Sequence, residues 1–132
     1  MLDIQGFRTN VAIVLVNNND NVLLAKRIKQ NAWQFPQGGV NDNEDIIDAL
    51  YRELQEEVGL SKSDVSVIAS TKYWLRYKIP VRMRRQTDPL FIGQKQKWFL
   101  LRFNSDENKI RWVEGKTHHD GKPRFSSRYQ IL

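Results

Sequence analysis

The sequence predicts an α+β fold or a three-layer α/β/α arrangement, with a mixed sheet carrying one amphipathic helix. Three observations point there. Strand-like runs flank a single patterned helix in the mixed order β-β-α-β-β. Ile47, Leu50, Leu54 and Val58 recur at i, i+3, i+7 and i+11 and make one apolar stripe. The 132 residues, 40% of them apolar, suit one domain with a sizeable core.

The elements follow in order. Residues 11–16 (VAIVLV) form a continuous β-branched run, the mark of a buried strand. NNNDN at 17–21 is a turn signal, and VLLAKR at 22–27 is a second strand, so the two make a hairpin. In NAWQFPQGG at 31–39, Pro36, Gly38 and Gly39 punctuate a loop. Asn41 or Asn43 can cap the helix that follows, Asn41 and Glu44 having capping-box spacing. Gly59 stands where a left-handed residue would end it. VSVIAS at 65–70 is a third strand, which TKYWLRYKI extends or pairs with. KQKWFLLRF at 95–103 is a fourth. Residues 104–132 have no sustained period; they could hold one short strand near 110–113 and are too poor in apolar residues for a good terminal helix.

Composition bounds the partners. No run of about 18 apolar residues exists, so no membrane-spanning helix is expected. MLDIQGFRTN lacks the basic-then-apolar order of a signal peptide. The absence of cysteine excludes disulfides, thiolate metal sites and cysteine nucleophiles, and fits a cytoplasmic location. A net charge of +6 suggests an anionic partner.

Against that positive balance, residues 38–60 hold seven acidic residues and one basic residue. Like charges at helical spacing repel by a few tenths of a kcal/mol per pair. On a helix, Glu53, Glu56 and Glu57 fall within an arc of roughly 100°, beside the apolar stripe. A solvated face would mix signs; this one gathers three carboxylates next to the sheet. Hard oxygen donors suit Mg²⁺ or Mn²⁺, and Mg²⁺ takes one or two carboxylates, several waters and the phosphates of a substrate. A cation would offset the repulsion and let a polyanion approach.

The spacing is more specific. Gly38, Glu44, Arg52, Glu53, Leu54, Glu56, Glu57, Gly59 and Leu60 stand as G-x5-E-x7-R-E-L-x-E-E-x-G-L. This resembles the Nudix box at every fixed position. The resemblance implies a three-layer Nudix sandwich with the catalytic helix packed on its sheet. It implies that Glu53, Glu56, Glu57 and the carbonyl of Gly38 hold divalent metal, Mg²⁺ first, with Mn²⁺ or Zn²⁺ as alternatives. Arg52 joins the glutamates in the catalytic set by orienting them, and Glu44 and Gly59 are structural. The implied chemistry is attack of water on a phosphorus of a nucleoside-linked diphosphate, with the general base left open.

The flanks GFRTNV, WQFPQGG, ASTKYWLRYKIP and IGQKQKWFLL, spread almost continuously over residues 2–103, resemble the subgroup of bacterial RNA pyrophosphohydrolases and dinucleoside polyphosphate hydrolases. That resemblance implies removal of pyrophosphate from the 5′-triphosphate end of RNA, the start of mRNA decay; the chain is expected to act as a monomer in the cytoplasm. A dinucleoside polyphosphate such as diadenosine tetraphosphate is the alternative substrate, and a non-catalytic RNA-end binding module is a further alternative. Lys72, Arg76, Lys78, Arg82, Arg84 and Arg85 are interleaved with Tyr73, Trp74 and Tyr77, with no acidic residue among them. Cations hold phosphates and aromatic faces stack bases; equally, such residues make the core and wet faces of a strand. The substrate-binding candidates are Arg8, Arg27, Gln37, Arg76, Gln94 and Lys97. Gln94 and Gln96 alternate with Lys95 and Lys97, so one face of that strand is polar. Trp33 and Phe35 are read as loop packing. His118 and His119 match no zinc spacing and are read as exposed tail. Past Phe103 the chain departs from the family pattern. The expected organisation is a Nudix core over 1–103 and a divergent C-terminal segment of the same domain over 104–132, an atypical or incomplete layer that is mobile or reorganised.

Overall fold

The computed structural model of the chain describes residues 2–26, 33–81, 91–111 and 124–130. In chain order its elements are β1 (Phe7–Val16), β2 (Asn21–Lys26), β3 (Trp33–Gln34), β4 (Gln37–Gly39), α1 (Ile46–Val58), β5 (Val65–Ser70), β6 (Leu75–Lys78), β7 (Gly93–Phe103) and β8 (Arg124–Gln130). Short 3-10 turns cover Lys62–Asp64 and Glu107–Lys109.

The sheet is built round two strands far apart in sequence. β1 runs parallel to β7 in unbroken register, from Phe7 opposite Gly93 to Val16 opposite Arg102. The other pairings are antiparallel. β1 also pairs with β2 and β4, and β7 carries β5 and β6 along its other edge. β2 pairs further with β3 and β8. Burial of β1 on both faces explains its continuous β-branched run. Val11, Ile13 and Leu15 of β1 share a core with Phe99, Leu101 and Phe103 of β7 and with Ala49, Leu50, Leu54 and Val58 of α1. The mixed sheet with a helix packed on it is the α+β arrangement expected, and α1 is the one α-helix among the described residues.

Several local expectations are corrected. The helix cap is Asp45, whose Oδ1 accepts from the Ile47 N–H at 2.9 Å. Asn41 and Asn43 lie in the preceding turn, where Asn41 N–H donates to Glu44 Oε1 at 3.0 Å and Asn43 takes a left-handed φ of 64°. Because the helix starts only at Ile46, that residue packs against the core and Ile47 is 44% exposed. Gly59 does close the helix, at φ 75° with its N–H on Gln55 O at 3.0 Å. The loop expected over 31–39 contains β3 and β4, strands too short to show a period of two. Residues 75–78 form a separate strand from 65–70. Ile110 follows a 3-10 turn and is buried; 112–123, with Glu114, His118 and His119, lie outside the described residues. β8 was not anticipated: RFSSRYQ is polar, and its pairing with β2 is interrupted by a register shift.

Asp64 ties the link between α1 and β5 to the chain leaving β7. Its Oδ2 accepts from Ser61 N–H and Oγ at 2.9 and 3.1 Å, and its Oδ1 from Ser105 Oγ at 2.6 Å and Lys109 Nζ at 3.0 Å. The Ser105 hydroxyl, then the Ser61 N–H, hold this carboxyl well below the usual carboxylate range. A depressed native pKa means that protonation opposes folding. The contribution is complete above the unfolded value of about 4 and is lost as pH falls below it. Asp64→Asn should therefore lower the Tm by about 5 °C at pH 7, with the gap to wild type narrowing below about pH 4, in melts followed by circular dichroism.

Candidate active site

Arg52 is the hub of the acidic end of α1. Its Nε and Nη2 make a fork on Glu44, at 2.8 Å to Oε2 and 2.9 Å to Oε1. Nη1 donates to Glu53 Oε1 at 2.8 Å and to Glu56 Oε2 at 3.1 Å, and Nη2 also reaches the carbonyl of Gly39 at 2.7 Å. A guanidinium has five N–H donors in a fixed fork, and these bonds engage all of them. The spacing explains the geometry. Glu53 is the next residue, Glu56 is one turn on, and Glu44 lies in the turn that enters the helix. The Arg52 fork lowers the Glu44 pKa, and Glu44 in turn is the main cause that raises Arg52 above its ordinary value.

Glu53 and Glu57 are buried, at 7% and 8% exposure, whereas the Glu56 side chain is 46% exposed. Glu53 is pressed onto β4: a Cβ on Gly38 would fall inside its carboxylate. Only glycine leaves that room. Burial pushes the Glu53 carboxyl up to about 7, against the pull of Arg52 and helped by the charges of Glu56 and Glu57.

Among the described residues no three acidic or histidine side chains converge closely enough to enclose a metal by themselves. The donors present are nevertheless all hard oxygens. Thr9 Oγ1, on the strand that pairs with β4, is buried without a hydrogen-bond partner. This set fits a hard divalent cation completed by water and substrate phosphate, and does not fit a closed tetrahedral zinc cage.

The register divides the substrate candidates between two faces. Side chains alternate along a strand, and Val11, Ile13 and Leu15 face α1. Arg8, Gln37 and Gln94 therefore lie on the face away from α1, and Arg76 and Lys97 on the α1 face. The Arg8 guanidinium sits 4.3 Å over the Phe91 ring, and the Tyr77 hydroxyl donates to Gln94 Oε1. Arg76 lies 5.9 Å from the Phe7 ring, and Lys95 and Lys97 approach the Trp74 ring at 5.0 and 5.4 Å. Both faces of this end of β7 are thus polar, not one. Phe35 packs edge-on to Trp98 at 5.8 Å, while Trp33 is 36% exposed. An apolar groove of about 370 Å³, lined by Val14, Trp98 and Leu100 among others, opens beside β5 and β7. Arg27, Arg82, Arg84 and Arg85 lie outside the described residues. Sequence reasoning missed Asn10 and Trp98, which Gln96 joins in one hydrogen-bonded chain across 86 and two residues of sequence. No local pattern signals such a contact.

The helix brings buried carboxylates against a glycine of the sheet with an arginine holding them, a set of hard oxygens of the kind that binds a divalent cation beside a phosphate. The NUDIX domain family model matches residues 6–125. A Pseudomonas putida protein named RNA pyrophosphohydrolase is 56% identical over 123 residues, 92% of this chain and 77% of that protein. Among solved structures, the E. coli dihydroneopterin triphosphate pyrophosphohydrolase superposes with a TM-score of 0.71 at 20% identity, covering 90% of this chain and 81% of that one. A C. elegans Ap4A hydrolase, in a binary complex, does so with a TM-score of 0.64 at 18% identity, covering 89% and 78%. At those identities the two structures speak to the fold alone. The chain belongs to the Nudix family.

Two outcomes follow for the site. Gly38→Ala should displace the Glu53 carboxylate and reduce kcat/KM by about a hundredfold with the melting curve little changed. A ligating carboxylate must lose its proton, so Mg²⁺ affinity should rise about tenfold between pH 6 and pH 8, with proton uptake by the buffer, in isothermal titration calorimetry.

Proposed function

We propose that this chain is a metal-dependent hydrolase that removes pyrophosphate from the 5′-triphosphate end of RNA and so starts mRNA decay. The observation that carries the reading is the 56% identity, over 92% of the chain, to a protein named RNA pyrophosphohydrolase. Supporting it are the net charge of +6, suited to a polyanion, and the box residues gathered by Arg52. In the reaction, water adds to a phosphorus of the 5′-triphosphate, the bond to the leaving phosphate oxygen breaks, and pyrophosphate departs from a 5′-monophosphate end.

Glu53, Glu56, Glu57 and the Gly38 carbonyl would hold the cation, Mg²⁺ or Mn²⁺. A divalent cation held there would supply neutralisation of phosphate charge and a lower pKa for a bound water. The chain's own residues do the rest. Arg52 keeps the Glu53 and Glu56 carboxylates in place. Burial of Glu53 and Glu57 keeps them from bulk water and so strengthens their pull on a cation. Arg8, Gln37, Gln94, Arg76 and Lys97 would hold the RNA end from both faces of β1 and β7. We place the enzyme in the cytoplasm as a monomer; no helix among the described residues is long and apolar enough to cross a membrane. Residues 1–103 would form the catalytic core and 104–132 a divergent closing segment of the same domain.

The test is release of pyrophosphate from a 5′-triphosphorylated RNA with Mg²⁺, beside diadenosine tetraphosphate. Wild type should favour the RNA, and Glu53→Gln should lose about a hundredfold or more in kcat/KM on it. Cleavage of the dinucleotide alone would move the enzyme to the other substrate class, and RNA binding without turnover would make it a binding module.

A further inference from the structure

On the sheet face away from α1, four side chains form a chain of fixed polarity. Trp98 Nε1–H donates to Gln96 Oε1 at 3.2 Å. Gln96 Nε2 donates to Asn10 Oδ1 at 3.2 Å and to Gln37 Oε1 at 3.1 Å. Gln96 and Asn10 are both buried, at 7% exposure. An indole N–H donates and cannot accept, so the oxygen of Gln96 must face it. The NH₂ of Gln96 then faces Asn10 and Gln37, which must each turn an oxygen inward. The polarity of three amides follows from one indole. It leaves the NH₂ of the half-buried Gln37 directed away from Gln96, on the face that also carries Arg8 and Gln94.

We propose that Gln96 and Trp98 are positioning residues that lock Gln37 with its NH₂ outward, as a donor to an acceptor oxygen of the RNA's 5′-terminal nucleotide. The proposal rests on the RNA reading above. A flipped Gln37 would turn its carbonyl oxygen to that acceptor and exchange an attraction for a repulsion. Among the described residues the network is what sets the orientation, because an amide's two ends have nearly the same shape.

Gln96→Glu reverses the logic with little change of volume. A carboxylate accepts from the indole and has no donor, so Asn10 and Gln37 must turn their NH₂ groups inward. KM for triphosphorylated RNA should rise about tenfold with kcat within about twofold of wild type. Gln37→Leu removes the same donor and should give the same rise. The double variant should be no worse than either single one, whereas an unrelated structural defect would multiply the losses to about a hundredfold. Trp98→Phe, which frees the network to flip, should raise KM by about threefold. Side-chain amide NMR reads the lock without turnover. The Gln37 NH₂ signals should shift on titration with a methylene-bridged 5′-triphosphate dinucleotide, and this response should disappear in Gln96→Glu. A matching shift with inorganic triphosphate assigns the acceptor to phosphate, and a shift with the dinucleotide alone assigns it to the base; either supports the lock. A Gln37 response without RNA turnover by wild type would sink the RNA reading and leave the lock standing. No Gln37 response, a wild-type KM in Gln96→Glu, or multiplied losses in the double variant would overturn it.

Discussion

Arg52 carries the arrangement on which the site depends. Its five N–H donors reach the turn before the helix at Glu44, the sheet at Gly39, and two carboxylates of its own helix. Leu50, Leu54 and Val58 fasten α1 to the sheet by burial, which fixes distance but little else. The guanidinium adds direction. A partly buried ion network contributes little net stability, because desolvation offsets attraction, yet removing one partner leaves a costly unpaired charge. The value of Arg52 therefore lies in geometry: three glutamates of one short segment stay close when mutual repulsion would spread them.

β4 is the counterpart of that hub. It is only three residues long, Gln37–Gly39, and pairs with the middle of β1. Gly38 turns its bare Cα to the Glu53 carboxylate, Gly39 offers its carbonyl to Arg52, and Gln37 joins the Gln96 network on the opposite face. The two faces of one short strand thus connect the acidic side of the site with the polar surface proposed to meet the nucleotide. The long parallel register of β1 with β7 makes this possible, since it brings residues near the start of the chain beside residues more than 80 positions later.

How far all this was legible depends on range. The box spacing marks α1, its end at Gly59 and the special place of Gly38, because those demands are local and each needs a particular residue. β1, β2, β5 and β7 are legible as apolar β-branched or aromatic runs. The helix start is not, since NDNED offers several residues able to cap, and the choice falls to Asp45 once Arg52 holds Glu44 in the preceding turn. Ile47 reads as core by period but loses that place to Ile46 at the first turn. β3, β4 and β8 hide in glycine, proline or polar sequence, because their pairing comes from backbone groups of distant strands. The Gln96 network spans the chain from Asn10 to Trp98, and no window of sequence contains it.

The Mg²⁺ dependence of Arg52→Lys tests the organising role of this guanidinium most directly. A lysine keeps the charge but cannot serve the fork on Glu44 and two further carboxylates together. The half-saturating Mg²⁺ concentration for RNA hydrolysis should rise about tenfold or more, with the fold intact by circular dichroism. An unchanged Mg²⁺ dependence in a folded Arg52→Lys protein would mean that the carboxylates hold their places without the arginine, contradicting its role as the hub.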